Sequence, residues 1–212
     1  MRRNQLIGPA LALLLAAACG GGGGAPTAAA PAAPPRPAAS TPPAPPAPAA
    51  AGTTPAVACS LSQADAGTLL GRAVGAPAGV AQPGNDAYPD ARVDRTERCA
   101  YPLAGVGTAH DGITTAGLNV QVILAADAGA ATTLWTPVRG SVTGIATYHA
   151  RAVAGIGDEA LYFDTAGQAG SLSGLLVRRS RVILSLTAIA ANPAPGADAY
   201  GTAARQLLGR AA

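Results

Sequence analysis

Between Gly117 and Ala125 the chain reads "GLNVQVILA", with Leu118, Val120, Val122 and Leu124 at every second position and Asn119 and Gln121 between them. A period of two sends alternate side chains to opposite faces of an extended chain, so this stretch predicts a half-buried strand. "EALYFD", "SLSGLLVRR" and "RVILSLTAIA" read as three more strands, the last two joined as a hairpin across Arg178 to Arg181. "RCAYPL" predicts a short strand holding Cys99, and "TYHARAV" an edge strand.

Three stretches carry helical signals instead. In "SLSQADAGTLLG", Ser62 stands three residues before Asp65, the spacing of a capping box, and Gly71 suits the closing cap. Asp127 caps a second predicted helix that runs through Trp135 and ends at Pro137, whose missing amide breaks the hydrogen-bond ladder. A last helix, Asp198 to Arg210, places Tyr200, Ala203, Leu207 and Leu208 on one face. The segment "RAVGAPAGVAQPGNDAYPDARVDRTE" is rich in turn residues and predicts partly irregular structure. Hairpin-linked strands in a row build an antiparallel sheet. The expected fold is therefore α+β, a two-layer domain of about five strands with one face covered by about three helices.

The ends of the chain change the picture. Residues 1–18 have the layout of a secretory signal, with Arg2 and Arg3 followed by an apolar stretch from Leu6 to Ala18. That stretch is shorter than the roughly 20 residues a spanning helix needs. Leu15-Ala16-Ala17-Ala18-Cys19 resembles a bacterial lipobox, the site at which a cysteine is diacylated and becomes the mature N-terminus. Cys19 is then the attachment point to a membrane. From Cys19 to Ala56 the sequence holds 11 of the 19 prolines among Gly and Ala, and predicts an extended tether that buries no core. Residues 25–56 in a polyproline conformation would reach roughly 100 Å at about 3.1 Å per residue. The single globular domain is expected over 57–212.

Three cysteines in a secreted chain ask for an explanation. With Cys19 lipidated, Cys59 and Cys99 remain as a pair that an oxidising compartment lets bridge, the alternative being two buried thiols. All 14 basic residues are arginine, and setting aside Arg2, Arg3 and Arg36 leaves 11 against 11 acids. A nucleic-acid binder needs surplus cations to displace counterions, and this domain has none.

Several residue groups invite chemical readings. Gly155-Ile156-Gly157-Asp158-Glu159-Ala160 matches the dinucleotide fingerprint in letters, but a strand follows it where a helix is required, so a glycine turn is expected. Asp158 and Glu159, as strand neighbours, are expected to diverge, either solvated or paired with an arginine. The two histidines, His110 and His149, lack metal-ligand spacing, so no metal and no cofactor is expected. His110-Asp111 reads as a turn. Arg178, Arg179 and Arg181 place three cations about one hairpin turn, a candidate contact for anionic lipid or cell-wall polymer, or else a solvated turn. Trp135, the one tryptophan, is expected to close the core.

"ACSLSQADAGTLLG", "ERCAY", "VAGIGDEALYF", the Arg-rich hairpin and the Ala-rich last helix, in that order, resemble the small actinobacterial envelope lipoproteins grouped as a domain of unknown function. That pattern has Cys-x-Leu-Leu-Thr before a capped helix, then a second Cys-Tyr or Cys-Trp, then Gly-Leu-Gly-Asp-Glu-Ala. Here Ser60-Leu61-Ser62 departs from the first motif while keeping the cap, and Ile156 replaces Leu. The resemblance implies a bonded Cys59–Cys99 pair and an envelope location, and carries no chemistry over. The expected function is a monomeric, lipid-anchored, extracytoplasmic, non-enzymatic domain that binds an envelope protein or cell-wall polymer. The alternatives are a carrier, with an apolar pocket between sheet and helices, and a hydrolase that brings His110 or His149 to a carboxylate and a hydroxyl.

Overall fold

The computed structural model describes residues 56–165 and 172–211. Residues 1–18, Cys19 and the Pro- and Ala-rich stretch up to residue 55 lie outside the described residues. Helix α1, Gln63–Leu70, starts on an extended Ser62 whose hydroxyl accepts from the Asp65 amide, and it closes on Gly71 in the left-handed conformation (φ 64°). Strands β1, Ala78–Pro83, and β2, Val93–Pro102, follow. The two-residue strands β3, Ala109–His110, and β4, Ile113–Thr114, form a small hairpin on Asp111 and Gly112, both at positive φ. Then come β5, Gly117–Ala125, α2, Ala128–Thr143, β6, His149–Ala152, and β7, Glu159–Asp164. Strands β8, Leu172–Arg179, and β9, Val182–Ile189, precede α3, Ala197–Ala211.

Seven strands form one antiparallel sheet in the order β1-β2-β5-β9-β8-β7-β6. The α+β class, the antiparallel sheet and the three helices are those expected. "TYHARAV" supplies the edge strand β6 as expected, and β1, which was not expected, arises inside the Gly- and Pro-rich stretch read as irregular, so the sheet has seven strands where about five were expected. Pro83 ends β1 on the sheet's outer edge, where no neighbour asks for its missing amide.

The helices do not share one face, which corrects the two-layer expectation. Strand alternation settles this. Val120, Val122, Leu175, Val177, Leu184 and Leu186 join the cluster that includes Leu69, Leu70, Leu207 and Leu208, so α1 and α3 cover one face. The intervening Ile123, Leu161, Phe163, Leu176 and Ile183 join Leu134, Trp135, Val138 and Val142, so α2 covers the other. Both faces of the central strands are apolar, and each needs its own cover.

Helix α2 also runs past Pro137 to Thr143. A proline inside a helix costs about 3 kcal/mol. Beyond it, Val138 and Val142 continue the buried stripe begun by Ala131, Leu134 and Trp135. Fully burying two such side chains returns about 3–6 kcal/mol, enough to carry the helix through the break. In β8, Gly174 is required by packing: a Cβ there would lie 2.4 Å from the Phe163 ring and 2.6 Å from the Leu186 carbonyl. Opposite, the buried Tyr200 hydroxyl donates to the Ser173 carbonyl at 2.8 Å and accepts from the Ala188 amide at 3.1 Å, pinning α3 to two central strands.

Candidate functional site

The first described residues are fastened to the sheet by three consecutive same-face positions of β2. Glu97, fully buried, accepts the amides of Val57 at 2.7 Å and Ala58 at 2.9 Å through Oε2. Its other oxygen lies 2.6 Å from Arg95 Nη2, which balances the buried charge. Two residues on, Cys99 is bonded to Cys59, with Cα atoms 5.2 Å apart. Two further on, the Tyr101 hydroxyl donates to the Leu61 carbonyl at 3.0 Å, and burial pushes its pKa up to about 12. From the last helix, Arg210 donates to the Ser60 carbonyl. Glu97 gave no signal in the sequence: one acid in a strand reads as solvated until its register beside Cys99 and Tyr101 is known.

The arginines of the β8–β9 turn are not gathered into one cationic patch. Arg178, its side chain 14% exposed, contacts Glu159 at 2.9 Å and Asp158 at 3.3 Å. Arg181 pairs with Asp94 at 3.1 Å. Arg179, exposed on the opposite face from Arg178, has no ion-pair partner among the described residues. The glycine turn at 155–157 leads into β7 and not into a helix. Asp158 lies in that turn, before the strand begins, so strand alternation does not separate it from Glu159, and both carboxylates reach Arg178. Asp158 also accepts the amide of Ser180, the left-handed residue of the hairpin turn (φ 50°). Trp135 is buried, and its indole N–H donates to Glu159 at 2.8 Å. The Arg178 guanidinium and this N–H hold the Glu159 carboxyl below the usual carboxylate range.

His110 pairs with Asp111 at 3.0 Å on the tip of the small hairpin, and His149 lies 3.7 Å from Asp164 on the edge of the sheet; both imidazoles are exposed. No group of three His, Cys, Asp or Glu that could hold a metal occurs among the described residues.

Two hollows bear on binding. The larger, about 660 Å³, lies between residues 87–92 and α2. Most of its polar groups are already engaged: Arg92 pairs with Asp127 at 2.9 Å, Asp127 caps α2 through the Ala130 amide, and Thr133 bonds the Gly129 carbonyl, which leaves the exposed Asp90 carboxylate. The gap between the sheet and α3, where a carrier would need its chamber, has no room for a water molecule.

The smaller cleft, about 290 Å³, opens on the α2 face of the sheet where that helix ends its cover. Two register rows build it: Arg98, Gln121 and Ser185 in one, Asn119 and Thr187 in the next. The β3–β4 hairpin walls one side, since a Cβ on Gly112 would meet the Arg98 stem at 2.8 Å. Asn119 anchors this wall, accepting the Thr114 amide at 2.7 Å and donating to the Thr114 carbonyl at 2.9 Å. The side chains of Gln121, Ser185 and Thr187, all half-buried, bond nothing among the described residues. Three unspent polar side chains converging on one cleft equip it for recognition. The signal was visible in two strands: along this face β5 passes from Asn119 and Gln121 to Ile123, and β9 from Thr187 and Ser185 to Ile183, polar where the sheet is open and apolar under α2.

No family model matches the chain, and no curated protein matches it. Among solved structures the chain is similar to the extracellular domain of PknH from Mycobacterium tuberculosis, with a TM-score of 0.50 and 9% identity over 71% of this chain and 91% of that one. What the two chains share is the fold.

Proposed function

We propose that this chain is an extracytoplasmic, lipid-anchored, non-enzymatic domain of the cell envelope, presented on a Pro- and Ala-rich tether and binding an envelope component through the cleft on its α2 face. The observation that carries the reading is the fastening of residues 57–61 to β2, at the point where the tether sequence ends. A disulfide there belongs to an oxidising compartment. The likeness in fold to an extracellular domain, and the lipobox-like sequence before Cys19, support the same location. The resemblance to small actinobacterial envelope lipoproteins agrees with it.

The test is fractionation of bacteria that export the full chain. Wild type is expected in the membrane fraction, and Cys19→Ser in the soluble extracytoplasmic fraction. Retention of the Cys19→Ser variant in the membrane would overturn the anchor, and recovery of both chains in the cytoplasm would overturn the location.

A further inference from the structure

We propose that the cleft on the α2 face recognises a sugar acid, a hydroxyl-bearing ring that carries a carboxylate, with Arg98 as the carboxylate-binding group; this rests on the binding role proposed above. Arg92, Arg95, Arg178 and Arg181 each meet a carboxylate, whereas Arg98 has no acidic partner among the described residues. Arg98 differs from Arg151 and Arg179, the exposed strand arginines that also lack an ion pair among the described residues, in being half-buried. Its Nη2 donates to the neutral Gln82 Oε1 at 2.9 Å, and its Nε is shut off from solvent with no partner. Glu97, its neighbour in β2, points through the sheet to the opposite face. Arg98 thus meets no carboxylate directly, only the Gln82 amide, which donates in turn to Asp86 at 2.7 Å, and its planar fork suits a ligand carboxylate.

The rest of the cleft specifies what carries the carboxylate. Gln121, in register beside Arg98, offers an amide, and Ser185 and Thr187 offer hydroxyls, all unspent. Each both donates and accepts, as sugar hydroxyls do. A volume of about 290 Å³ suits a single ring. Apolar contact comes chiefly from Ile113, 48% exposed on the hairpin wall, which is placed to cover one ring face rather than to form a side-chain pocket.

The experiment titrates the isotope-labelled full chain with D-glucuronate, D-glucose and acetate while following backbone amide resonances. Glucuronate is expected to move Gln121, Ser185 and Thr187 with at least tenfold higher affinity than either glucose or acetate. Arg98→Gln should erase that preference, and Thr187→Val, which keeps shape and loses one hydroxyl, should weaken glucuronate several-fold. Equal affinity for glucuronate and glucose, or an undiminished preference in Arg98→Gln, overturns the sugar-acid assignment and leaves the binding cleft standing. Acetate as strong as glucuronate overturns the sugar component. If none of the three probes moves these resonances at tens of millimolar, the assignment fails, and a cleft that still responds to a cell-wall extract would keep the broader reading alone.

Discussion

Glu97 and Val57 are 40 residues apart in sequence and 2.7 Å apart in space, joined by a buried carboxylate that accepts the Val57 amide. The contact is one of three made by alternate residues of β2, and it shows how the start of the domain is secured: a charge, a covalent bond and a phenol act in series on residues 57, 59 and 61.

Removing Glu97 leaves two amides without an acceptor and the Arg95 guanidinium without its partner. Arg95 is partly exposed and can turn to solvent, but each buried amide left unsatisfied costs about 1–3 kcal/mol, or about 2–6 kcal/mol for the two. Glu97→Ala should therefore lower the stability of the domain by about that much in urea denaturation. A loss under about 0.5 kcal/mol would mean that residues 57 and 58 are not held as described.

The disulfide closes a loop with a sequence separation of 40. In the chain-entropy account its removal costs about 4 kcal/mol. The double variant Cys59→Ala, Cys99→Ala should show that loss in the same denaturation measurement, and an unchanged midpoint would contradict it.

Trp135 reports on Glu159 directly, because it is the only tryptophan in the chain and bonds that carboxylate. Arg178 and Trp135 lower the Glu159 pKa in the folded state. A depressed carboxyl pKa contributes stability that is present above the unfolded value, near 4.5, and lost as pH falls through the folded value. Indole emission of the folded protein should therefore hold constant from neutral pH to below about pH 4.5 and change only beneath it. Glu159→Gln should remove that transition, and its persistence in the variant would assign it to another group.

Pro137 is exposed and sits within a helix whose buried stripe continues on both sides. Pro137→Ala restores an amide donor without disturbing the core, and should stabilise the protein by about 1–3 kcal/mol. A neutral or negative result in thermal denaturation would contradict this.

Much of this architecture was legible. "GLNVQVILA" and "EALYFD" became β5 and β7 at the expected bounds because their apolar positions and flanking residues agree. The Ser62, Asp127 and Gly71 caps were readable for the same reason, since capping is a contact among sequence neighbours. What stayed hidden depends on distant partners. β1 has few strand-forming side chains and exists because β2 offers it a ladder. α2 crosses Pro137 because the sheet rewards Val138 and Val142. The division of helices between two faces, the role of Glu97 and the alignment of Arg98 with Gln121 and Ser185 all require strand register, which no local pattern supplies.

The measurement that tests the central claim most directly is the intact mass of the full chain, exported in a bacterium that processes lipoproteins, extracted with detergent and alkylated without reduction. The account predicts a polypeptide beginning at Cys19, heavier by a diacylglyceryl group, with no alkylation at Cys59 or Cys99. A chain with an unmodified Cys19, or one that takes up alkylating reagent at Cys59 and Cys99, would contradict it.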